Sequence, residues 1–181
     1  MRRILLTLTG FLVAALTFAQ SLDGTWTATE TLDEKKDTAD VSMKISLTGY
    51  DIMVISGSSC TKTEKAVMTI SATKDGQDVK MGATVTGKVA GTIAREGDVL
   101  VFTPAKKAKP EVTVETQDLP GVLKVLLINP IKSELAKDLK EPDSSRIISV
   151  TAQEMVLEEI LTEKQVRKGQ KPERVTYRKS R

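Results

Sequence analysis

Residues 79–93 read VKMGATVTGKVAGTI, and their alternation decides the fold. The odd positions are Val79, Met81, Ala83, Val85, Gly87, Val89, Gly91 and Ile93, all apolar or without a side chain. The even positions are Lys80, Gly82, Thr84, Thr86, Lys88, Ala90 and Thr92, polar or small. A period of two sustained over this length is a β-strand with one face on a core and the other toward water. Gly87 and Gly91 fall on the inner face, where a bend or bulge would turn a barrel corner.

The same period extends in both directions. Trp26, Ala28 and Glu30 alternate with threonines, and Val41, Met43, Ile45 and Leu47 alternate with Ser42, Lys44, Ser46 and Thr48. Ile52 and Val54 follow, then Met68, Ile70 and Ala72. Thr48-Gly49-Tyr50-Asp51 reads as a turn between two strands, and Arg95-Glu96-Gly97-Asp98 as another. Asp75-Gly76 is the pair that favours a type I′ hairpin. Strands follow at Val99–Thr103 and Glu111–Thr116. The segment between them, Pro104–Pro110, reads as a solvated loop or edge carrying Lys106, Lys107 and Lys109.

After Pro120 the period becomes helical, with Leu123, Leu126, Leu127, Ile131, Leu135 and Leu139. Asn129 then Pro130 reads as an N-cap followed by proline at the first helical position. Two short helices are expected, over 120–128 and 130–140, stopped at Glu141-Pro142. Strands return at Arg146–Val150, Glu154–Glu159 and Arg174–Lys179, with a polar connection at Lys168–Pro172. The expected architecture is all-β and antiparallel: an up-and-down barrel of about eight strands, with a helical insertion at about 120–140 before the last strands.

Composition limits the chemistry. The 181 residues include no His and one Cys. Ser-His-Asp and Cys-His nucleophiles are therefore excluded, as are zinc sites built on His or on several Cys. Aromatic residues make up 3%, too few for a stacking platform for single-stranded nucleic acid. Met1-Arg2-Arg3, the apolar run Ile4–Leu16 and Thr17-Phe18-Ala19 read as a secretory signal over residues 1–19, cut after Ala19. The mature chain, 20–181, is expected to be a single domain. Removing Arg2 and Arg3 leaves 25 basic residues against 24 acidic ones, which makes no electrostatic case for nucleic acid. Cys60 stands alone, so no internal disulfide forms, and it reads as a partly buried thiol in a loop or strand end.

Two segments carry a family likeness. Leu22-Asp23-Gly24-Thr25-Trp26 is a Gly-x-Trp opening the first strand, and Val175-Thr176-Tyr177-Arg178 puts an Arg on the last. This pattern resembles the lipocalin-like, calycin-type barrels. Asp98–Phe102 after the Gly97 turn and the closing strands from Ile148 to Tyr177 are similar to small exported proteins of that build from Bacteroidetes. The resemblance implies that Gly24, Trp26 and Arg178 close the base of the barrel, with Arg174 as the alternative cation.

The inward positions then become the ligand candidates: Met43, Ile45, Leu47, Val54, Met68, Ile70, Met81, Ala83 and Val85. Methionine suits a deformable apolar cavity and an ordinary packed core equally well. The 120–140 helices could cap the barrel, plug it, or dock a partner. The adjacent pairs Asp33-Glu34 and Glu158-Glu159 point to opposite faces of a strand, and no Asp-x-Asp-x-Asp spacing occurs. No catalytic set, metal or cofactor is therefore expected. The sequence reading is an exported, non-enzymatic binding protein for a small apolar ligand, periplasmic or secreted, without a transmembrane segment in the mature chain. The alternative is an envelope module with a filled barrel whose 120–140 helices bind another protein.

Overall fold

The computed structural model describes residues 21–37, 41–74, 77–118, 120–167 and 169–180. The signal segment expected over 1–19 lies outside them. Among the described residues nine strands occur: β1 (Gly24–Asp37), β2 (Val41–Ser56), β3 (Ser59–Lys74), β4 (Gln77–Glu96), β5 (Val99–Pro104), β6 (Glu111–Gln117), β7 (Asp143–Val150), β8 (Glu154–Glu159) and β9 (Arg174–Lys179). They run β3-β2-β1-β9-β8-β7-β5-β4, and β3 pairs with β4 to close the ring. All pairings are antiparallel, so this is an eight-stranded up-and-down barrel. The ninth strand, β6, pairs with β4 over Gly82–Lys88, above the point where β5 leaves off.

Strand length shapes the molecule. β1 to β4 have 14 to 20 residues each, whereas β5 and β7 to β9 have six to eight. β9 pairs with β1 only at Trp26 and Thr27, and β1 runs on to Asp37. The long strands therefore rise past the closed ring as a curved sheet, extended by β6. Two apolar clusters fill the two levels. The lower one is built around Trp26, Met53, Phe102, Met155 and Leu139 inside the ring. The upper one packs Met68, Ile70, Ala83 and Val85 against Ile128 and Leu135 of the helical insertion. The insertion covers the inner face of the raised sheet, which buries its apolar stripe.

Several local expectations are corrected. Thr48–Asp51 is not a turn, because β2 is continuous from Val41 to Ser56 and the reversal falls at Gly57-Ser58. Gly57 takes φ 57° there, and its N–H donates to Asp23 Oδ1 at 2.6 Å. β3 and β4 pair up to Lys74 and Gln77, as a hairpin requires, while Asp75 and Gly76 lie outside the described residues. The insertion is one helical run rather than two. It is α-helical over Gly121–Leu123, π-helical over Lys124–Ile128, then α-helical over α1 (Asn129–Asp138). Asn129 is the first residue inside α1, and the N-cap position falls on Ile128. Pro130 lacks the N–H that an α-helical ladder needs, and the π turn just before it absorbs that break. A short helix, α2 (Glu163–Arg167), also lies between β8 and β9, where only a polar connection was expected.

Gly87 and Gly91 mark close approaches, because the β3–β4 register passes both without a bulge. The bulge is instead on β7, between Ile147 and Ser149. A Cβ on Gly87 would meet Leu139 Cδ1 at 2.5 Å, so this glycine lets the end of the insertion reach the sheet. A Cβ on Gly91 would overlap the Thr103 carbonyl oxygen and meet the Phe102 ring at 2.8 Å. Gly91→Ala should therefore destabilise the fold by about 1–3 kcal/mol, as overpacking against backbone does. Urea unfolding of the variant checks this, and an unchanged midpoint would contradict it.

The base of the barrel also departs from expectation. Trp26 is fully buried, and its indole N–H donates to the Leu22 carbonyl at 2.6 Å. The cation over its ring is Lys179, with Nζ 5.2 Å from the ring centroid, and not Arg178. Strand alternation is the reason. Tyr177 is buried and Lys179 is on the same face, while Arg178 is exposed and pairs with Thr27. Arg174 also points away, and its Nε donates to Glu158 at 2.8 Å. Gly24 has φ 128°, and a Cβ there would overlap Lys179 Cε, so the first residue of β1 must be glycine.

Candidate functional site

The barrel changes chemistry between its two apolar clusters. The register sets Ala28, Asp51, Glu64 and Gly87 side by side on β1, β2, β3 and β4. One level below, Met53 is beside Lys62. The inward face that buries Met53 and Ile55 on β2, and Cys60 and Met68 on β3, thus also carries Asp51, Lys62 and Glu64 inside.

These groups form one network. The Tyr177 hydroxyl donates to Asp51 Oδ2 at 2.6 Å. Lys62 Nζ donates to Asp143 Oδ2 at 3.0 Å, a group three strands away round the barrel on β7. The same ammonium lies 3.1 Å from Glu64 Oε1 and 3.9 Å from Asp51 Oδ2. Asp51 Oδ1 is enclosed and has no partner. Burial raises Asp51 and Glu64 above the ordinary carboxylate range, although Lys62 pulls both down. Burial alone would lower Lys62. The charges of Asp51, Asp143 and Glu64 outweigh it and hold the ammonium above its usual value. Burial and the neighbouring Asp51 raise Tyr177. At neutral pH Lys62 therefore stays an ammonium and Tyr177 a phenol.

Above this layer a cleft of 1010 Å³ opens to solvent. Its floor is made by Asp51, Glu64 and Tyr177, and one wall by Ile131, Glu134, Leu135 and Asp138 of α1. Glu173 and the start of β9, Arg174 to Thr176, close another side, and Ala28, Glu30 and Ala66 complete the sheet wall. No protein-family model matches the chain, and no curated protein matches it in sequence. The site is therefore read from its own geometry.

None of the nine apolar candidates lines this cleft. Met68, Ile70, Ala83 and Val85 are buried in the upper cluster, and Met43, Ile45, Leu47 and Met81 pack against it. The insertion occupies the space in front of them. Val54 is 45% exposed on the outer face, because Met53 and Ile55 take the inward positions on either side. The sequence reading missed Asp51, Lys62, Glu64, Asp143 and Tyr177 as a site. One signal was available. Carrying the inward parity of Met68 and Ile70 back along β3 passes through Glu64, Lys62 and Cys60.

Among the described residues, no group of three or more Asp, Glu, Cys or His is arranged to hold a metal ion, and no helix is long and apolar enough to cross a membrane. Cys60 is buried, and burial pushes its thiol up to about 11. A thiol-specific reagent should therefore label the folded protein about a hundredfold more slowly than the unfolded chain near neutral pH. Equal rates in buffer and in denaturant would contradict this placement.

Proposed function

We propose that the protein is an exported, lipocalin-like binding module without enzymatic activity, which takes a small molecule into the cleft between the barrel mouth and α1. The observation that carries this reading is the cleft itself. Its volume is 1010 Å³, about the upper end of ordinary ligand sites. Rigid strands fix its floor, and α1, anchored through Leu135 and through Leu139 just past its end, fixes one wall. The lining mixes Ala28, Ala66, Ile131, Leu135 and Val175 with carboxylates and a phenol. That mixture suits a molecule with an apolar body and a polar end better than the wholly apolar ligand the sequence suggested. The absence of activity is supported by the charged layer at and beneath the floor, where Lys62 is held as a cation and Tyr177 as a phenol, so neither is a ready nucleophile.

Native mass spectrometry of residues 20–181, released gently from the envelope fraction, tests the reading. Extra mass that organic extraction removes is the expected result. A bare mass, with no thermal shift across a panel of small amphiphiles, would overturn it. A second reading, docking of an envelope protein, rests on a separate observation. Val122, Val125 and Leu126 at the start of the insertion are 70%, 61% and 62% exposed.

A further inference from the structure

We infer that the cleft selects ligands bearing a cationic amine on a short apolar body, with the ammonium paired to the acidic lining around Asp51 and Glu64. This inference rests on the cleft being a ligand site, and it deepens that reading by naming the ligand's chemistry.

The lining carries six acids, Glu30, Asp51, Glu64, Glu134, Asp138 and Glu173, against two bases, Lys65 and Arg174. Of the two, only Arg174 is paired with an acid outside the lining. Lys65 Nζ is 5.8 Å from the centroid of the Tyr50 ring, and Arg174 is bound to Glu158. Beneath the floor a single ammonium, Lys62, serves three carboxylates. Negative charge thus exceeds positive at the floor and again at the rim, where Glu134 and Asp138 project from α1. A concave site with low-dielectric walls concentrates such a field and draws in cations while repelling anions.

The shape of the lining separates an amine from a metal ion. A metal needs several ligands converging on one point, and no such group occurs among the described residues. An ammonium needs acceptors from one side only and keeps its carbon body free. Ile131, Leu135 and Val175 supply an apolar wall for that body. Asp51 and Glu64 are already desolvated by folding, so less of their hydration remains to be lost when a cation arrives.

Three probes of equal chain length test this: octylammonium, 1-octanol and octanoate, titrated into the mature protein by calorimetry below their aggregation concentrations. Octylammonium should bind about tenfold or more tightly than octanol, with octanoate weakest, and the preference should shrink as salt rises. The double variant Glu134→Gln with Asp138→Asn changes only exposed α1 side chains, so it leaves the core intact. It should weaken octylammonium about three- to tenfold, and octanol by much less. If all three probes bind alike, or octanoate binds best, the cation preference is overturned and the cleft reading survives. If none binds, both fail.

Discussion

Replacing Lys62 with methionine is expected to cost about 3 kcal/mol of stability, because it leaves Asp51 and Glu64 inside the barrel with no cation. Methionine fills the volume of the lysine stem and lacks only the ammonium end, so the loss is chiefly electrostatic. Asp143 is half exposed and contributes little to it. The loss should depend on pH in a defined direction. Asp51 and Glu64 have folded pKa values raised by burial, so each binds its proton more tightly folded than unfolded. Such a group stabilises the fold fully below its unfolded pKa, and that contribution disappears as pH rises through the folded value. Without Lys62 both folded values move higher still. The penalty of Lys62→Met should therefore be larger at about pH 8 than at about pH 5, where the carboxyls accept protons. Urea unfolding at the two pH values measures the difference. A penalty independent of pH would show that the carboxyls do not depend on Lys62.

Trp26→Ala should cost as much or more, about 3–5 kcal/mol. The indole has no exposed surface, sits in the lower core, and ties the chain entry through its bond to the Leu22 carbonyl. Alanine would leave a cavity where β1 meets β9, at the pairing that links the first strand to the last. Lys179→Met separates the parts of this effect. It keeps an unbranched apolar stem over the ring and removes the charge, so a loss of about 1 kcal/mol is expected. Arg178→Met, on the exposed face, should change stability by less than about 0.5 kcal/mol. If Arg178 proved the costlier substitution, the inward assignment of Lys179 would be wrong.

Strand alternation was enough to read the barrel, because a half-buried antiparallel strand writes its two faces into the sequence. It failed wherever the inner face is not apolar. Gly49 and Asp51 interrupt the inward pattern of β2, so a continuous strand looked like a turn. Lys62 and Glu64 interrupt β3 in the same way. A charged inner layer is stable only because its members come from four strands, and no single strand's period reveals those partners. Met68, Ile70, Ala83 and Val85 are buried and Met43, Ile45, Leu47 and Met81 pack against their cluster, but whether such residues line space or pack depends on the helix above them. That depends on tertiary contacts between β4 and the end of the insertion, through Gly87 and Leu139, which lie far apart in sequence. The family likeness pointed to an arginine at the barrel base, and one residue's shift in parity gave the place to lysine.

The most direct test of the account is where a small ligand binds. Amide resonances of the labelled mature protein should be followed as octylammonium is added. The shifts should gather at residues 49–51, 64–66, 131–138 and 173–177, around the cleft. Shifts confined to residues 122–126, or spread over the surface without saturating, would contradict a ligand site at the mouth of the barrel.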